Sequence, residues 1–455
     1  MSNHLASGTI PLPKSAGSGG QKLVSLFLGS FEVPTIERDS TAVHNPGKKW
    51  SPALLLACAG CVVIAAAFSS QLLSNAAAAE AYRPRAFEAR LLILLGTLSL
   101  ATALATAALV RPASGNLSQD RVEDAGKFFG LAFALLVVVH LLLAFLIVRP
   151  GTVPHIDVYT FQKHACENLL RGIDPFGATQ ADIYDARDSS LYYAPGLVIG
   201  GRVLEGFQYT PLTLFWALPG YLLGDVRISY IFAVIVSAWI LFALCPDYRG
   251  LGIASVLLLS PLTFMVEYNC FTEPLVYMTL CATVYAAVKK RWWLPIALGL
   301  FLASKQYNFW ALPLIASLLH SFQWKTYWKL AGLSLATAAT TILPFAVWNA
   351  GALWHDAVLF HLSQPYRLDS LSFAVPLPWI MKVGPLLVLA FVVWAARAGN
   401  RSAATFPAAY GVVLLLFFLT SKQAFPNYYF LAGQAFFLAV VALHPTRLGQ
   451  KVQLL

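Results

Sequence analysis

Long stretches without a charged residue recur along the chain and constrain its fold more than any other feature. Several approach the roughly 20 residues that cross a hydrocarbon core about 30 Å thick. Because they lack the alternating pattern of barrel strands, they predict membrane-spanning helices. The uncharged stretches are residues 51–79, 91–110, 128–148, 228–246, 250–266, 274–288, 306–324, 330–355, 402–421 and 423–446. With weaker candidates at 208–224, 292–304 and 376–396, the sequence predicts an all-α integral membrane protein with about 11 to 13 transmembrane helices.

Composition and charge agree with a membrane protein. Charged residues make up 11% of the chain, against about 25% in soluble proteins. The net charge of +10 does not predict a nucleic-acid partner, because the basic residues form no cluster interleaved with aromatics. They flank predicted spans, where they favour the cytoplasmic side and anionic lipid head groups. Basic residues before the first and third spans therefore place the loop after the third span, residues 150–207, outside the cytoplasm.

These features predict four regions along the chain. Residues 1–50 are expected to be a flexible cytoplasmic tail, and residues 51–111 an appended transmembrane hairpin. Residues 112–446 form the main transmembrane module, and residues 447–455 a C-terminal tail. Within the module, the external loop begins with an apolar repeat of period three to four after Asp157, which predicts an amphipathic helix along the membrane surface.

Asp157 lies near the point where a predicted hydrophobic helix ends and the external loop begins. In the sequence it stands between His155 and Tyr159. Three explanations compete for it: the N-cap of the amphipathic helix, a partner in an ion pair, and a catalytic base. The third is favoured by the position, because a loop at the membrane surface meets water-soluble and lipid-borne substrates together. The scattered acids Asp157, Asp182 and Asp185 are expected to be solvated, and no metal or cofactor is predicted.

The tripeptide Ser-Lys-Gln occurs twice between apolar segments, as residues 304–306 and 421–423. A lysine at the centre of a membrane helix costs about 2.5–3.5 kcal/mol on insertion scales, so it persists where it is paired or functional, or where it reaches the head groups. Ammonium and amide donors at the interface are suited to a lipid phosphate. The predicted phosphate-binding residues are Lys305, Lys422, Arg367, Gln306 and Gln423, although Arg367 also has a potential surface partner in Asp369.

Further polar and aromatic residues are candidates for binding the substrates. For Glu267, a solvated position in a loop between helices is the alternative. The predicted substrate-binding residues are His155, Tyr159, Asp174, Glu267 and Tyr428. No phosphate-binding glycine loop, dinucleotide fingerprint, zinc-protease motif or hydrolase nucleophile motif is present.

The order of short motifs in residues 130–440 resembles the polytopic GT-C glycosyltransferases, in particular family 87, which uses polyprenyl-phosphate sugars. The motifs are His155-Ile156-Asp157-Val158-Tyr159, then residues 170–176 (Leu-Arg-Gly-Ile-Asp-Pro-Phe), residues 209–212 (Tyr-Thr-Pro-Leu) and residues 224–227 (Gly-Asp-Val-Arg). The resemblance implies a GT-C-type helix bundle in a bacterial inner membrane. It would transfer a sugar, mannose above all, from a polyprenyl-phosphate donor to an extracytoplasmic lipid, glycan or protein acceptor.

The resemblance also implies a role for Asp157, since it occupies the place of an essential acid in the family's first large external loop. That acid would be the general base of an inverting transfer, and Lys305, Lys422 and Arg367 would stabilise the departing phosphate. The chain departs from the family in two ways. Two additional spans precede the loop, and Val158 replaces a second acid, for which the candidates are Asp174, Asp182, Asp185 and Glu267.

Two other functions are compatible with the sequence. A transporter or flippase of lipid-linked sugars would share the phosphate-binding lysines, but it predicts a polar path across the membrane and broken helices in two matching halves. A scaffold with a degenerate site predicts that the external acids and the lysines lie apart. A cavity that holds Asp157 together with Lys305 or Lys422 would distinguish the enzyme from the scaffold.

Overall fold

A computed structural model of the chain describes residues 56–68 except 59, 62 and 66, and residues 119–148, 153–319, 321–367, 369–397 and 401–443. The predicted tails at 1–50 and 447–455, and most of the predicted hairpin at 51–111, lie outside the described residues. The division of the chain into four regions therefore remains a prediction.

Helices make up nearly all of the regular structure in the described residues. The α-helices are α1 (Gln119–Val148), α2 (Asp157–Leu170), α3 (Ala186–Tyr192), α4 (Pro211–Leu222), α5 (Arg227–Leu244), α6 (Tyr248–Leu259), α7 (Pro261–Tyr268), α8 (Glu273–Val288), α9 (Leu294–Ala303), α10 (Trp324–Trp354), α11 (Phe360–Ser363), α12 (Ile380–Arg397), α13 (Thr405–Thr420) and α14 (Pro426–Leu443). Two 3₁₀ helices, Gln306–Ala311 and Pro313–Leu318, follow α9, and a π-helix, His355–Leu359, follows α10.

Five of the described helices are long and apolar enough to cross a membrane, or six if α6 and α7, which meet at a 47° bend, form one span. Shorter apolar helices include α8, α9 and α13. The prediction of an all-α integral membrane protein is confirmed. The described residues hold fewer such spans than the predicted 11 to 13, and the predicted spans at 51–79 and 91–110 lie mostly or wholly outside them. Other uncharged stretches fold into shorter helices, such as α7, which begins at Pro261.

The helices differ in how deeply they lie within the bundle. In the most apolar part of α14, 83% of the residues are buried, whereas the corresponding shares are 22% in α1 and 17% in α12. Small residues allow close packing around α14: a Cβ atom on Gly411 of α13 would lie 2.8 Å from the Phe436 ring. Helix α14 is therefore central, and most of α1 and α12 faces outward, where a membrane helix meets lipid.

The segment predicted to be the external loop packs as a small layer against the helices; it keeps that name below, and the side of the membrane on which it lies remains a prediction. Its first element is α2, so the predicted amphipathic helix is present, with Phe161, Ala165 and Cys166 buried. The helix ends just before Gly172, whose φ of +72° favours glycine. A three-stranded antiparallel sheet follows, in the order β1 (Gln180–Ala181), β3 (Arg202–Val203), β2 (Val198–Ile199). Its register pairs Val203 with both Gln180 and Val198.

Candidate active site

A cavity of about 430 Å³ lies between the external loop and the helix bundle. Its wall is contributed by the start of α2, the turn between α7 and α8, the segment after α9, residues 360–371 and the start of α14. Of the predicted site residues, six line this cavity: His155, Asp157, Lys305, Arg367, Gln423 and Tyr428. Parts of the chain more than 250 residues apart in sequence therefore meet around one space.

Asp157 is the first residue of α2, while Ile156 occupies the N-cap position and makes no side-chain cap bond. The N-cap explanation of Asp157 is therefore wrong by one position. Asp157 Oδ1 accepts a hydrogen bond from the Val158 N–H at 2.8 Å, and its Oδ2 accepts a long one from the Tyr193 hydroxyl at 3.4 Å. The Asp157 N–H donates to the Tyr184 hydroxyl oxygen at 3.0 Å. These bonds fix the carboxylate at the cavity wall.

The surroundings of Asp157 change its acidity. Burial raises the pKa of the carboxyl above its ordinary value, because a low-dielectric environment disfavours the charged form. The Val158 N–H and the positive charge of Arg367 act in the opposite direction. By surface area Asp157 is only half-buried, since one side of it borders the cavity while protein surrounds the rest. A carboxylate with a raised pKa is a stronger base than one in water.

Lys305 approaches the cavity from within the bundle. It is 7% exposed, and its Nζ contacts the Thr272 hydroxyl and lies 3.3 Å from Glu273 Oε1. The ammonium also lies 5.0 Å from the centre of the Tyr209 ring, as in a cation–π contact. Glu273 is fully buried, so its carboxylate offsets the charge of the lysine where water is excluded. Lys305 is therefore paired inside the protein.

Arg367 lies on another wall of the cavity and is held by aromatic rings. Its guanidinium lies 4.1 Å from the centre of the Tyr192 ring and 5.0 Å from that of Phe425. It also donates two hydrogen bonds, of 2.7 and 2.6 Å, to the half-exposed carboxylate of Asp369. The ion pair with Asp369 that the sequence left as an alternative is present, and Arg367 lines the cavity as well.

Two predicted phosphate-binding residues lie behind the cavity wall and bond to backbone. Lys422 Nζ donates to the carbonyl oxygens of Leu362 at 2.7 Å and Gln364 at 2.5 Å. Gln306 Nε2 donates to the carbonyl oxygens of Gln208 and Ala357, both at 3.0 Å. Neither side chain is part of the cavity lining. Both hold together segments that do line it.

Three predicted substrate-binding residues lie outside the cavity lining. The Tyr159 ring lies 5.2 Å from the guanidinium carbon of Arg227. Asp174 accepts hydrogen bonds from the Phe176 N–H at 3.0 Å and from Asn349 Nδ2 at 2.9 Å.

Glu267, the third of these residues, has an unexpected position. Its Oε1 lies 3.0 Å from Nε2 of His140 on α1, and both side chains are almost fully buried. His140 Nδ1 lies 2.7 Å from the Leu258 carbonyl oxygen. A solvated position for Glu267 is therefore wrong. A buried acid is stable when a cation or donor faces it, and the sequence could not show that His140, 127 residues earlier, is that partner.

Several residues of the cavity wall were not singled out by the sequence. Tyr184 comes from the external loop, and Thr272 comes from the start of α8. His361 Nε2 lies 2.7 Å from the Gln208 carbonyl oxygen, close enough for its N–H to donate. His361 lies six residues before Arg367, a predicted phosphate-binding residue. This closeness in sequence is the feature that could have indicated that His361 belongs to the site. Tyr184 and Thr272 have no such signal, since only the folded chain brings them to Asp157 and Lys305.

Comparison with known proteins bears on these features. No family model matches the chain. The chain is 25% identical to GPI mannosyltransferase 1 of Kluyveromyces lactis over 268 residues, which are 48% of this chain and 66% of that protein. It thus spans slightly less than two thirds of the relative.

Two solved structures are also similar to the chain, both of ArnT from Cupriavidus metallidurans. One has undecaprenyl phosphate bound, with a TM-score of 0.45, 18% identity and coverage of 69% of this chain and 60% of that chain. The other is the apo state, with a TM-score of 0.44, 17% identity and coverage of 70% and 60%. The match to a mannosyltransferase agrees with the resemblance to glycosyltransferases that the sequence motifs carry.

Proposed function

We propose that the protein is a membrane glycosyltransferase that moves a sugar from a polyprenyl-phosphate donor to a hydroxyl group of a lipid, glycan or protein acceptor. One observation carries the proposal: a single cavity brings the Asp157 carboxylate together with the cationic side chains of Lys305 and Arg367. The similarity to GPI mannosyltransferase 1 supports mannose as the sugar. The proposed location is a bacterial inner membrane, with the cavity on the extracytoplasmic face.

In the proposed reaction Asp157 is the general base. The acceptor hydroxyl oxygen attacks the anomeric carbon of the donor sugar and forms the new glycosidic bond. The bond between that carbon and the phosphate oxygen breaks, and the electron pair leaves with the polyprenyl phosphate. The hydroxyl proton passes to the Asp157 carboxylate. Attack opposite the leaving group inverts the anomeric centre, and the step requires no cofactor and no metal at Asp157.

Lys305 and Arg367 are proposed to bind the phosphate that leaves. Negative charge accumulates on the phosphate as its bond to the anomeric carbon breaks. Fixed cations therefore stabilise the transition state more than the ground state. The buried position of Lys305 strengthens its interaction with an anion in the cavity, because water screens it poorly. Gln423 contributes an amide to the same wall, whereas Lys422 and Gln306 support the wall through backbone bonds.

The proposal is tested with Asp157→Asn, which keeps the size of the side chain and removes its basicity. Transfer of labelled mannose from polyprenyl phosphate is measured in membranes that contain equal amounts of folded protein. General base catalysis contributes about 10²–10⁴-fold, so a loss of at least about 100-fold is expected. Asp188→Asn, which changes a different acid of the same loop, is the matched control and should remain active. Full activity of a folded Asp157→Asn variant would contradict the assignment.

The pH dependence of transfer gives an independent test. The base must be ionised, so kcat/KM should fall as the pH decreases through the pKa of Asp157. Because burial raises that pKa, the midpoint should lie above the ordinary value of about 3.9. Arg367 lowers the pKa of Asp157, so Arg367→Gln should move the midpoint to higher pH. A midpoint that stays unchanged in this variant would show that another group controls the acid limb.

A further inference from the structure

A second group of titratable side chains lies outside the cavity lining. It consists of Glu205 at the end of the external loop and of His355 and Asp356 at the start of the π-helix. One potential ligand atom from each residue lies within 4.8 Å of the other two. The scattered acids Asp157, Asp182 and Asp185, which the sequence predicted to be solvated, are not part of this group.

The chain geometry that assembles the group is specific. Helix α10 is interrupted at Asn349, which has the non-helical φ and ψ values of −157° and 83°, and the π-helix begins at His355. The Gly206 N–H donates to Asp356 Oδ2 at 2.7 Å. A Cβ atom at position 206 would lie 2.5 Å from the same oxygen, so this approach requires glycine. The loop and the π-helix are thus in direct contact at this point.

The group places two buried carboxyl groups beside one imidazole. Glu205 and Asp356 are 2% and 3% exposed. In the part of the chain that the structure describes, the ion-pair partner of both is His355, whose Nδ1 lies 3.0 Å from Glu205 Oε2 and 3.3 Å from Asp356 Oδ1. Two neighbouring buried carboxyl groups are stabilised either by a shared proton or by a cation that both of them contact. A metal ion bound by both groups and by the imidazole would take the place of that proton.

The distances and donor types fit a metal ion. Metal–ligand bonds of about 2.0–2.2 Å at tetrahedral or octahedral angles place neighbouring ligand atoms about 2.8–3.6 Å apart, and the distances from His355 Nδ1 to Glu205 Oε2 and Asp356 Oδ1, 3.0 and 3.3 Å, fall within this range. Imidazole nitrogen and carboxylate oxygen together suit zinc and manganese. Gln180 lies beside the group: its Nε2 donates to the Gly206 carbonyl oxygen at 3.1 Å, while its buried Oε1 has no hydrogen-bond partner among the described residues.

We propose that Glu205, His355 and Asp356 bind one divalent transition-metal ion, of the zinc or manganese type, which clamps the end of the external loop to the segment after α10. The His355 side chain is 56% exposed, so the site opens to the surface of the protein and leaves room for a further ligand. Gln208, three residues after Glu205, lines the cavity, and its carbonyl oxygen is bound by Gln306 and His361. The ion would therefore hold one wall of the cavity in place.

Zinc content is the first test. The full chain is purified in detergent with an affinity tag that lacks histidine, treated with a chelator, equilibrated with Zn²⁺ and freed of excess metal. Elemental analysis should find one zinc ion per chain in the wild type and in the control His164→Ala. Glu205→Gln and His355→Ala should each lose most of it. Zn²⁺ should also raise the unfolding temperature of the wild type, because a ligand that binds the folded state stabilises it.

Manganese gives a test that needs no variant. Free Mn²⁺ has a six-line electron paramagnetic resonance spectrum, and its intensity should fall when wild-type protein is added and recover when Zn²⁺ is added. A wild-type chain that binds neither ion overturns the proposal and indicates that Glu205 and Asp356 share a proton. Zinc binding that is equal in the wild type and in Glu205→Gln and His355→Ala overturns it as well. Both measurements are independent of sugar transfer.

Discussion

The two Ser-Lys-Gln segments have the same sequence and different structures. Both follow an apolar helix: residues 304–306 come after α9, and residues 421–423 after α13. In the first segment the lysine is buried and lines the cavity, while the glutamine bonds to backbone. In the second the glutamine lines the cavity, while the lysine bonds to backbone. The local sequence supplies the donors, and the surrounding elements decide which donor faces the cavity.

The partners of the lysines explain this difference. Lys305 faces the start of α8, where Glu273 provides a buried carboxylate. Lys422 faces two carbonyl oxygens, those of Leu362 and Gln364, and remains partly exposed. Burial lowers the pKa of Lys422, and no carboxylate among the described residues acts in the opposite direction. Lys305 is therefore the cation better placed to act on a phosphate in the cavity, and Lys422 supports the segment that carries Arg367.

The largest expected difference between the segments is in activity. Lys305→Met should lower kcat/KM for sugar transfer by about 10²–10³-fold, the effect of removing one preorganised donor from a developing charge. Lys422→Met should lower it less than about tenfold, because it acts through the position of the wall. Steady-state transfer assays on the two purified variants measure both values. Equal losses would show that the two lysines contact the phosphate equivalently.

The two lysine variants should also differ in their free energy of unfolding, and this difference is expected to be less pronounced than the difference in activity. Lys305→Met leaves Glu273 buried without a cation, which typically costs about 3–5 kcal/mol. The double variant Lys305→Met/Glu273→Gln should recover much of that loss and remain inactive. Lys422→Met should cost about 1–3 kcal/mol, because two carbonyl oxygens lose a charged donor. Unfolding by sodium dodecyl sulfate in mixed micelles gives these free energies. A double variant no more stable than Lys305→Met would show that Glu273 is not the partner that matters.

The sequence predicted those features that depend on local pattern. The amphipathic helix after Asp157 follows from apolar spacing. The convergence of Asp157, Lys305 and Arg367 was anticipated from residue chemistry and from the resemblance. Contacts across long separations were not predictable, because no local pattern encodes them. Glu267 with His140 and Glu205 with His355 are both of this kind, as is the different environment of Lys422.

The smallest expected effects concern the two glutamines. Gln306 donates to the carbonyl oxygens of Gln208 and Ala357, so Gln306→Ala removes two internal hydrogen bonds, worth about 0.5–1.5 kcal/mol each. Gln423 donates one, to the Pro365 carbonyl oxygen at 3.1 Å, and it lines the cavity. Gln306→Ala should therefore be the less stable variant, by about 1 kcal/mol, with KM for the donor nearly unchanged.

Gln423→Ala should show the opposite pattern, with near-normal stability and a KM for the polyprenyl-phosphate sugar raised about tenfold or less, as expected for the loss of one amide contact. Thermal unfolding and donor titration on the same preparations measure the two quantities together. The opposite result, a raised KM for Gln306→Ala and a loss of stability for Gln423→Ala, would mean that the two glutamines have exchanged roles. The phosphate would then contact residues 304–306 and not Gln423. The glutamine variants thus show which glutamine contacts the donor, and the lysine variants show which lysine stabilises the charge of its phosphate.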